Sequence, residues 1–341
     1  MPVANPTWLT TAAVALAAAF ASMTILRVLL VTGLAWRLAT DIPNGRSLHT
    51  LPTPRVGGWG IVPVCIVVLL ALTPRLWLIA LATAGLAAMS QLDDRRGLRA
   101  SVRFSAHLAA VVALVLVFPV DAPWWLLAGA GFAMVWLTNL YNFMDGADGL
   151  AGGMALFGFG AYAIAALNGD HVSSGDLAVA GAAVAGAAFG FLLLNFHPAR
   201  LFLGDAGSIP LGFLAGAFGY WGWREQVWPI WFPALVFSPF IADASVTLLR
   251  RLLRGEKFWQ AHREHYYQRV IRSGVSHGRA AVYSYLIMLC GTLVAVWAKG
   301  RPEPQQWLSF LGWYAVLACL GLAIDMRWRR FQSADNNNYN P

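Results

Sequence analysis

Apolar residues run along this chain in long blocks, separated by short polar breaks. A bilayer span needs roughly 20 mostly apolar residues, and about eleven such blocks can be laid out here. They cover 8–35, 58–74, 76–91, 104–120, 123–141, 150–168, 177–195, 207–223, 227–249, 280–298 and 305–324. The pattern predicts an all-α polytopic membrane protein with about 11 transmembrane helices. No soluble module or internal repeat interrupts it, which predicts a single integral-membrane domain over 1–330. The tail 331–341, with its Asn run, reads as a disordered segment. The first block has no Lys or Arg ahead of it and contains Arg27, so it reads as a retained span rather than a cleaved leader.

Composition changes the picture only by exclusion. At 58% hydrophobic and 12% charged, with a mean hydropathy of +0.59, the chain falls outside the soluble globular class. Charge sets the orientation. Alternating the loops from an external N-terminus puts nineteen of the 24 Lys and Arg on one face and four on the other. The rich face is expected to be cytoplasmic, as in a multi-pass protein of the bacterial inner membrane. The net charge of +8 is then a topology signal, with membrane lipid headgroups as partners and no nucleic acid. Cys65, Cys290 and Cys319 lie inside blocks without metal-type spacing and read as packing residues.

Candidate chemistry gathers in the breaks assigned to the rich face. Asp93 and Asp94, Asp145 and Asp148, and Asp205 occupy three of them. An ionised group taken out of water costs several kcal/mol unless it is paired or metal-bound. Five aspartates beside glycines at block ends therefore predict a divalent cation and a phosphorylated ligand at the membrane surface. Adjacent Asp93 and Asp94 repel each other, a repulsion that a cation or Arg95, Arg96 and Arg99 would relieve. In Asn139–Leu150, two amides and two acids recur every third residue before a Gly-Ala-Asp-Gly turn. Amides suit a base or sugar edge, and acids suit a cation or ring donor. Asp205, in Gly-Asp-Ala-Gly-Ser, reads equally as a helix N-cap and as a metal ligand.

Two further breaks are basic. His262 and His265 share a helical face, lack the further ligands a zinc site needs, and suit a diphosphate or sugar. A basic amphipathic helix at the headgroups is the plainer alternative. Around a Pro43-Asn44-Gly45 turn, Arg46 and Arg55 are candidates for a lipid phosphate, and positive-inside anchoring explains either one as well.

Taken together, these segments resemble the polyprenyl-phosphate N-acetylaminosugar-1-phosphate transferases, glycosyltransferase family 4. The resemblance rests on Asp93-Asp94, on Asn142-Phe143-Met144-Asp145-Gly146-Ala147-Asp148-Gly149, on Phe202-Leu203-Gly204-Asp205-Ala206-Gly207-Ser208, and on the His262/His265 loop. It implies attack of undecaprenyl phosphate on the β-phosphorus of a UDP-N-acetylamino sugar, giving undecaprenyl-diphospho-sugar and UMP. It further implies Mg²⁺ on Asp205, with Mn²⁺ able to substitute, and catalytic roles for Asp93 and Asp94 beside the metal and attacking phosphate. Asn142, Asp145 and Asp148 would line the nucleotide site, Asn195 and Phe202 the uracil, and His262 and His265 the diphosphate and sugar. Gly97 stands where several relatives carry another Asp, and His262-Arg263-Glu264-His265-Tyr266-Tyr267 replaces the three-histidine run of the muramyl-pentapeptide translocases. The resemblance therefore points toward the transferases that initiate O-antigen or common-antigen synthesis. A homodimer is compatible with it. Two other classes compete: an ion-coupled secondary transporter, which needs mid-span carboxylates, and a CDP-alcohol-type phosphotransferase, which needs one Asp-rich motif rather than three dispersed pieces.

Overall fold

A computed structural model describes residues 7–43, 51–167, 169, 172–257 and 262–339. Without water to bond, a backbone in lipid must satisfy its own N–H and C=O groups, so the apolar blocks close into helices. They are α1 (Trp8–Val31), α2 (Leu34–Leu38), α3 (Gly57–Leu72), α4 (Trp77–Arg96), α5 (Ala100–Val117), α6 (Trp124–Phe143) and α7 (Leu150–Leu167). There follow α8 (Val172–Asn195), α9 (Asp205–Arg224), α10 (Phe232–Val236), α11 (Ser238–Leu253), α12 (Tyr266–Arg272), α13 (His277–Lys299) and α14 (Glu303–Tyr339). Among the described residues, eight helices are long and apolar enough to cross a membrane: α1, α4 to α8, α13 and α14. The shorter α3 and the charge-flanked α9 complete the bundle between them. The expected all-α polytopic membrane fold is thus the one observed.

The helix α9 forms the axis. Its residues from Gly207 to Gly222 are buried without interruption, and α4 and α6 pack against it. A layer of α1, α7 and α8 packs alongside, and α13 covers α7.

The differences from the sequence pattern have local causes. The block 227–249 is two helices, α10 and α11, because Pro239 lies in the first turn of α11 and cannot continue the preceding ladder. The first block stops at Val31, where Gly33 turns with φ +71 before the short α2. At the other end α14 continues to Tyr339, with no glycine after Gly321 and no proline before Pro341 to stop it. Two short strands, β1 (Thr40–Asp41) and β2 (Thr53–Pro54), pair antiparallel, a long-range contact that no periodicity announces.

Candidate active site

A backbone clip builds one end of the bundle. Phe202 N–H donates to Pro54 O at 2.8 Å, Gly57 N–H to Phe202 O at 2.8 Å, and Gly58 N–H to Leu203 O at 3.0 Å. This zips the entry of α3 to the entry of α9. The approach requires glycine: a Cβ on Gly58 would lie 2.5 Å from Gly207 N. Gly204, at φ +74, then turns the chain so that Asp205 opens α9. The clip carries Arg55 to the same place, and the pairing of Asp41 with Thr53 brings Asp41 in behind it.

A cavity of about 220 Å³ opens there. Asp41, Arg55, Asp145 and Asp205 stand in its wall, with Asn142 and Phe202 beside them. Asp94, at the end of α4, reaches Arg55 at 3.6 Å and lies within electrostatic range of Asp205 and Asp41. Its neighbour Asp93 is differently engaged. It pairs with Arg103 at 2.9 Å and accepts from Leu98 N–H at 2.6 Å across the turn at Gly97. Burial, reinforced by the nearby Asp205 carboxylate, pushes Asp145 up to about 7, although Arg55 opposes the shift. Four carboxylates therefore surround one guanidinium. This oxygen-only, electron-rich donor set fits a hard divalent cation.

The amides divide the remaining work. Asn142 accepts from Ser208 Oγ at 2.9 Å, which ties α6 to the first turn of α9. Asn195 lines the cavity, but its side chain is engaged within the protein: Oδ1 accepts from Gly149 N–H and Nδ2 donates to Leu201 O, both at 2.9 Å. Its role is to position the two loops. Asp148 faces His197 Nδ1 at 2.7 Å, and the His197 and His277 rings stack at 5.5 Å. Among the described residues, the donor atoms of Asp148, His197 and His277 come within 4.8 Å of one another. Two imidazoles and a carboxylate suit a softer ion than Mg²⁺.

The histidine loop stands beside the cavity wall. His265 is buried on Asp243 of α11 at 3.1 Å, and Asp243 also accepts from Tyr266 N–H and Tyr267 N–H at the start of α12. Tyr267 in turn presses its hydroxyl on Gly146, where no larger residue fits. The His262 ring lies 4.8 Å from His265, and burial beside His265 and Arg251 lowers it to about 4, so this imidazole is neutral near pH 7. Arg46 falls outside the described residues.

The structure thus brings Arg55, Asn142, Asp145, Asp148, Asn195, Phe202 and Asp205 to one cavity. Asp94 joins them through Arg55, and Asp93 is held by Arg103. His265, with His262 against it, sits on Asp243, one step from the wall through Tyr267 on Gly146. Sequence reasoning gave no role to Asp41, His197, His277 or Asp243. Asp41 and Asp243 belong to no Gly-Asp motif. The two histidines, eighty positions apart, meet only through packing.

Residues 76–222 match glycosyl transferase family 4. The chain is 27% identical to a probable undecaprenyl-phosphate N-acetylglucosaminyl 1-phosphate transferase of Bacillus subtilis, over 84% of this chain and 85% of that protein. It is 31% identical to a decaprenyl-phosphate N-acetylglucosaminephosphotransferase of Mycolicibacterium smegmatis, over 73% and 72% of the two chains. A phospho-N-acetylmuramoyl-pentapeptide-transferase of Geobacillus kaustophilus is 34% identical over 47% of this chain and 58% of its own length.

Proposed function

The chain belongs to glycosyl transferase family 4, the polyprenyl-phosphate sugar-1-phosphate transferases, and from that premise we propose that it transfers N-acetylglucosamine 1-phosphate, or a close N-acetylamino sugar 1-phosphate, from a UDP-sugar to undecaprenyl phosphate. The product enters O-antigen or another cell-envelope polysaccharide, and the reaction runs on the cytoplasmic face. The observation that carries this reading is the convergence of Asp145, Asp205 and Arg55 on one cavity at the helix ends, with Asp94 paired to that Arg55. Charge neutralisation and alignment are what phosphoryl transfer demands of a protein.

In this scheme an oxygen of the lipid phosphate forms a bond to the β-phosphorus of the UDP-sugar. The bond from that phosphorus to the α,β-bridging oxygen breaks, and UMP leaves with the oxygen. Arg55 orients the lipid phosphate. Asp94, the member of its pair that faces Arg55, accepts the proton when the attacking phosphate carries one. Asp93, held by Arg103, fixes the end of α4. Asn142, Asp148 and Phe202 receive the nucleotide, and Asn195 holds the Gly149 and Leu201 loops around it. His262 and His265 border the sugar end. Asp205, with Asp94 and Asp145 beside it, would hold Mg²⁺, which when bound screens the diphosphate charge and stabilises the leaving oxygen.

The carboxylates lie at helix ends rather than at mid-span, which argues against an ion-coupled transporter. The deciding experiment incubates purified protein with undecaprenyl phosphate, MgCl₂ and a panel of UDP-sugars, then weighs the lipid product. UMP release with a lipid heavier by one N-acetylhexosamine phosphate is expected. No metal-dependent turnover with any UDP-sugar, or CMP release in a parallel incubation with a CDP-alcohol, overturns the reading.

A further inference from the structure

A second cavity lies away from the first, between the end of α11, the helix α12 and residues 325–332 of α14. It measures about 540 Å³, and six arginines face two acids in its wall, an excess of four positive charges. Arg250, Arg254, Arg269 and Arg272 do not dangle. Asp325 of α14 binds Arg250 at 2.8 Å and Arg269 at 2.7 Å, drawing α11 and α12 together. Glu264 is clasped by Arg251 and Arg254. Arg272 lies over the Trp328 ring, its guanidinium carbon 4.8 Å from the ring centroid, with one N–H on Arg263 O at 3.0 Å. Guanidinium groups fixed this way lose little further freedom on binding, and they match phosphate oxygens in pairs. Their mutual repulsion falls when an anion enters.

The surface beside the cavity indicates what kind of anion. On α14, Leu322 and Met326 precede Arg329 by seven and three residues, so all three share one helical face. Leu322 is 59% and Met326 57% exposed. An apolar track thus leads along α14 into a cationic cavity edged by a tryptophan, the arrangement that suits an amphiphile at a membrane interface.

We propose that this cavity binds the phosphate-bearing headgroup of an anionic phospholipid, with an acyl chain along Leu322 and Met326. The test uses delipidated full-length protein in detergent and measures lipid retention by native mass spectrometry. The probes are phosphatidylglycerol, phosphatidylcholine and soluble glycerol phosphate. Phosphatidylglycerol is retained by the wild type and lost about tenfold in Arg272→Gln/Arg329→Gln, while phosphatidylcholine is unaffected. Neither arginine pairs with Asp325 or Glu264, so the acid clasps persist in the variant. Leu322→Asn/Met326→Asn, which keeps every arginine, lowers phosphatidylglycerol retention and leaves glycerol phosphate binding alone. Equal phosphatidylglycerol retention by wild type and both variants overturns the site. Glycerol phosphate binding as tightly as phosphatidylglycerol, with no effect of the apolar substitutions, overturns the lipid assignment in favour of a soluble phosphate.

Discussion

Asp205 begins α9 and Asp94 ends α4, so each carboxylate stands where a helix leaves off rather than inside one. The proposal that Asp205 holds the cation makes a direct prediction. Asp205→Asn reduces UMP release at least ~100-fold, the scale of losing a key electrostatic contact to the transferring group, and abolishes the rise in unfolding temperature that Mg²⁺ gives the wild type. An unchanged Mg²⁺ response would remove Asp205 from the metal. The neighbouring pair separates by the same logic. Asp94→Asn lowers kcat strongly. Asp93→Asn, which keeps an oxygen for Leu98 N–H but loses the ion pair to Arg103, costs about 1 kcal/mol of stability with a smaller kinetic effect. Equal kinetic losses from both would argue against Asp94 as the proton acceptor. Asp145 carries the largest resolved part of the pH dependence, and Asp94, pushed up to about 6 by burial and the nearby Asp205, adds to it. The Asp145 carboxyl rises from 3.8 to about 7 on folding, so the stability it contributes is fully present below the lower value and is lost as pH climbs through the higher one. A bound cation restores that loss only where Asp145 is ionised. The Mg²⁺-induced thermal shift is therefore larger at pH 8 than at pH 6, and Asp145→Asn reduces the difference, leaving the part due to Asp94. A shift identical at both pH values would contradict this.

Elements place these residues, and the clip between 54–58 and 202–203 is the decisive one. Because it is made of backbone bonds and glycine contacts, its sensitive positions carry no chemistry of their own. Gly58→Ala puts a methyl group 2.5 Å from Gly207 N and destabilises the fold by about 1–3 kcal/mol. The same shift displaces Asp205, so turnover falls alongside the unfolding temperature; a stable variant with intact activity would show the clip to be looser than drawn. The clip also explains how much could be read in advance. The Asp145 and Asp205 motifs were legible, since glycine beside aspartate at the edge of an apolar block marks a turn with a purpose. The position of Arg55 was not, because its partner lies 147 residues away and β2 has only two residues. The resemblance puts Asn195 at the nucleotide, and it does line the cavity; what the sequence does not show is that its amide also ties Gly149 to Leu201. The break at Pro239 was visible in the sequence, but an apolar run on both sides concealed that it splits a helix.

At the scale of the whole molecule, helix count and orientation decide whether the aspartates meet a nucleotide sugar at all. The proposed cytoplasmic placement is tested by cysteine labelling in intact cells, after Cys290 and Cys319, both exposed, are replaced by alanine. A cysteine at Arg301 reacts with an impermeant reagent, and one at Arg200 reacts only after the membrane is opened; the reverse result would invert the topology. The clip has a last consequence, for biogenesis. Arg55 leaves the ribosome long before Asp145 and Asp205, and Asp243, which anchors His265, follows later still. During synthesis the early helices must wait in the bilayer with Arg55 and Asp41 in place and Asp145 and Asp205 still to come. A nascent chain that ends before α9 lacks Asp205 and the Phe202 side of the clip, so the aspartates gather only once that helix has been inserted.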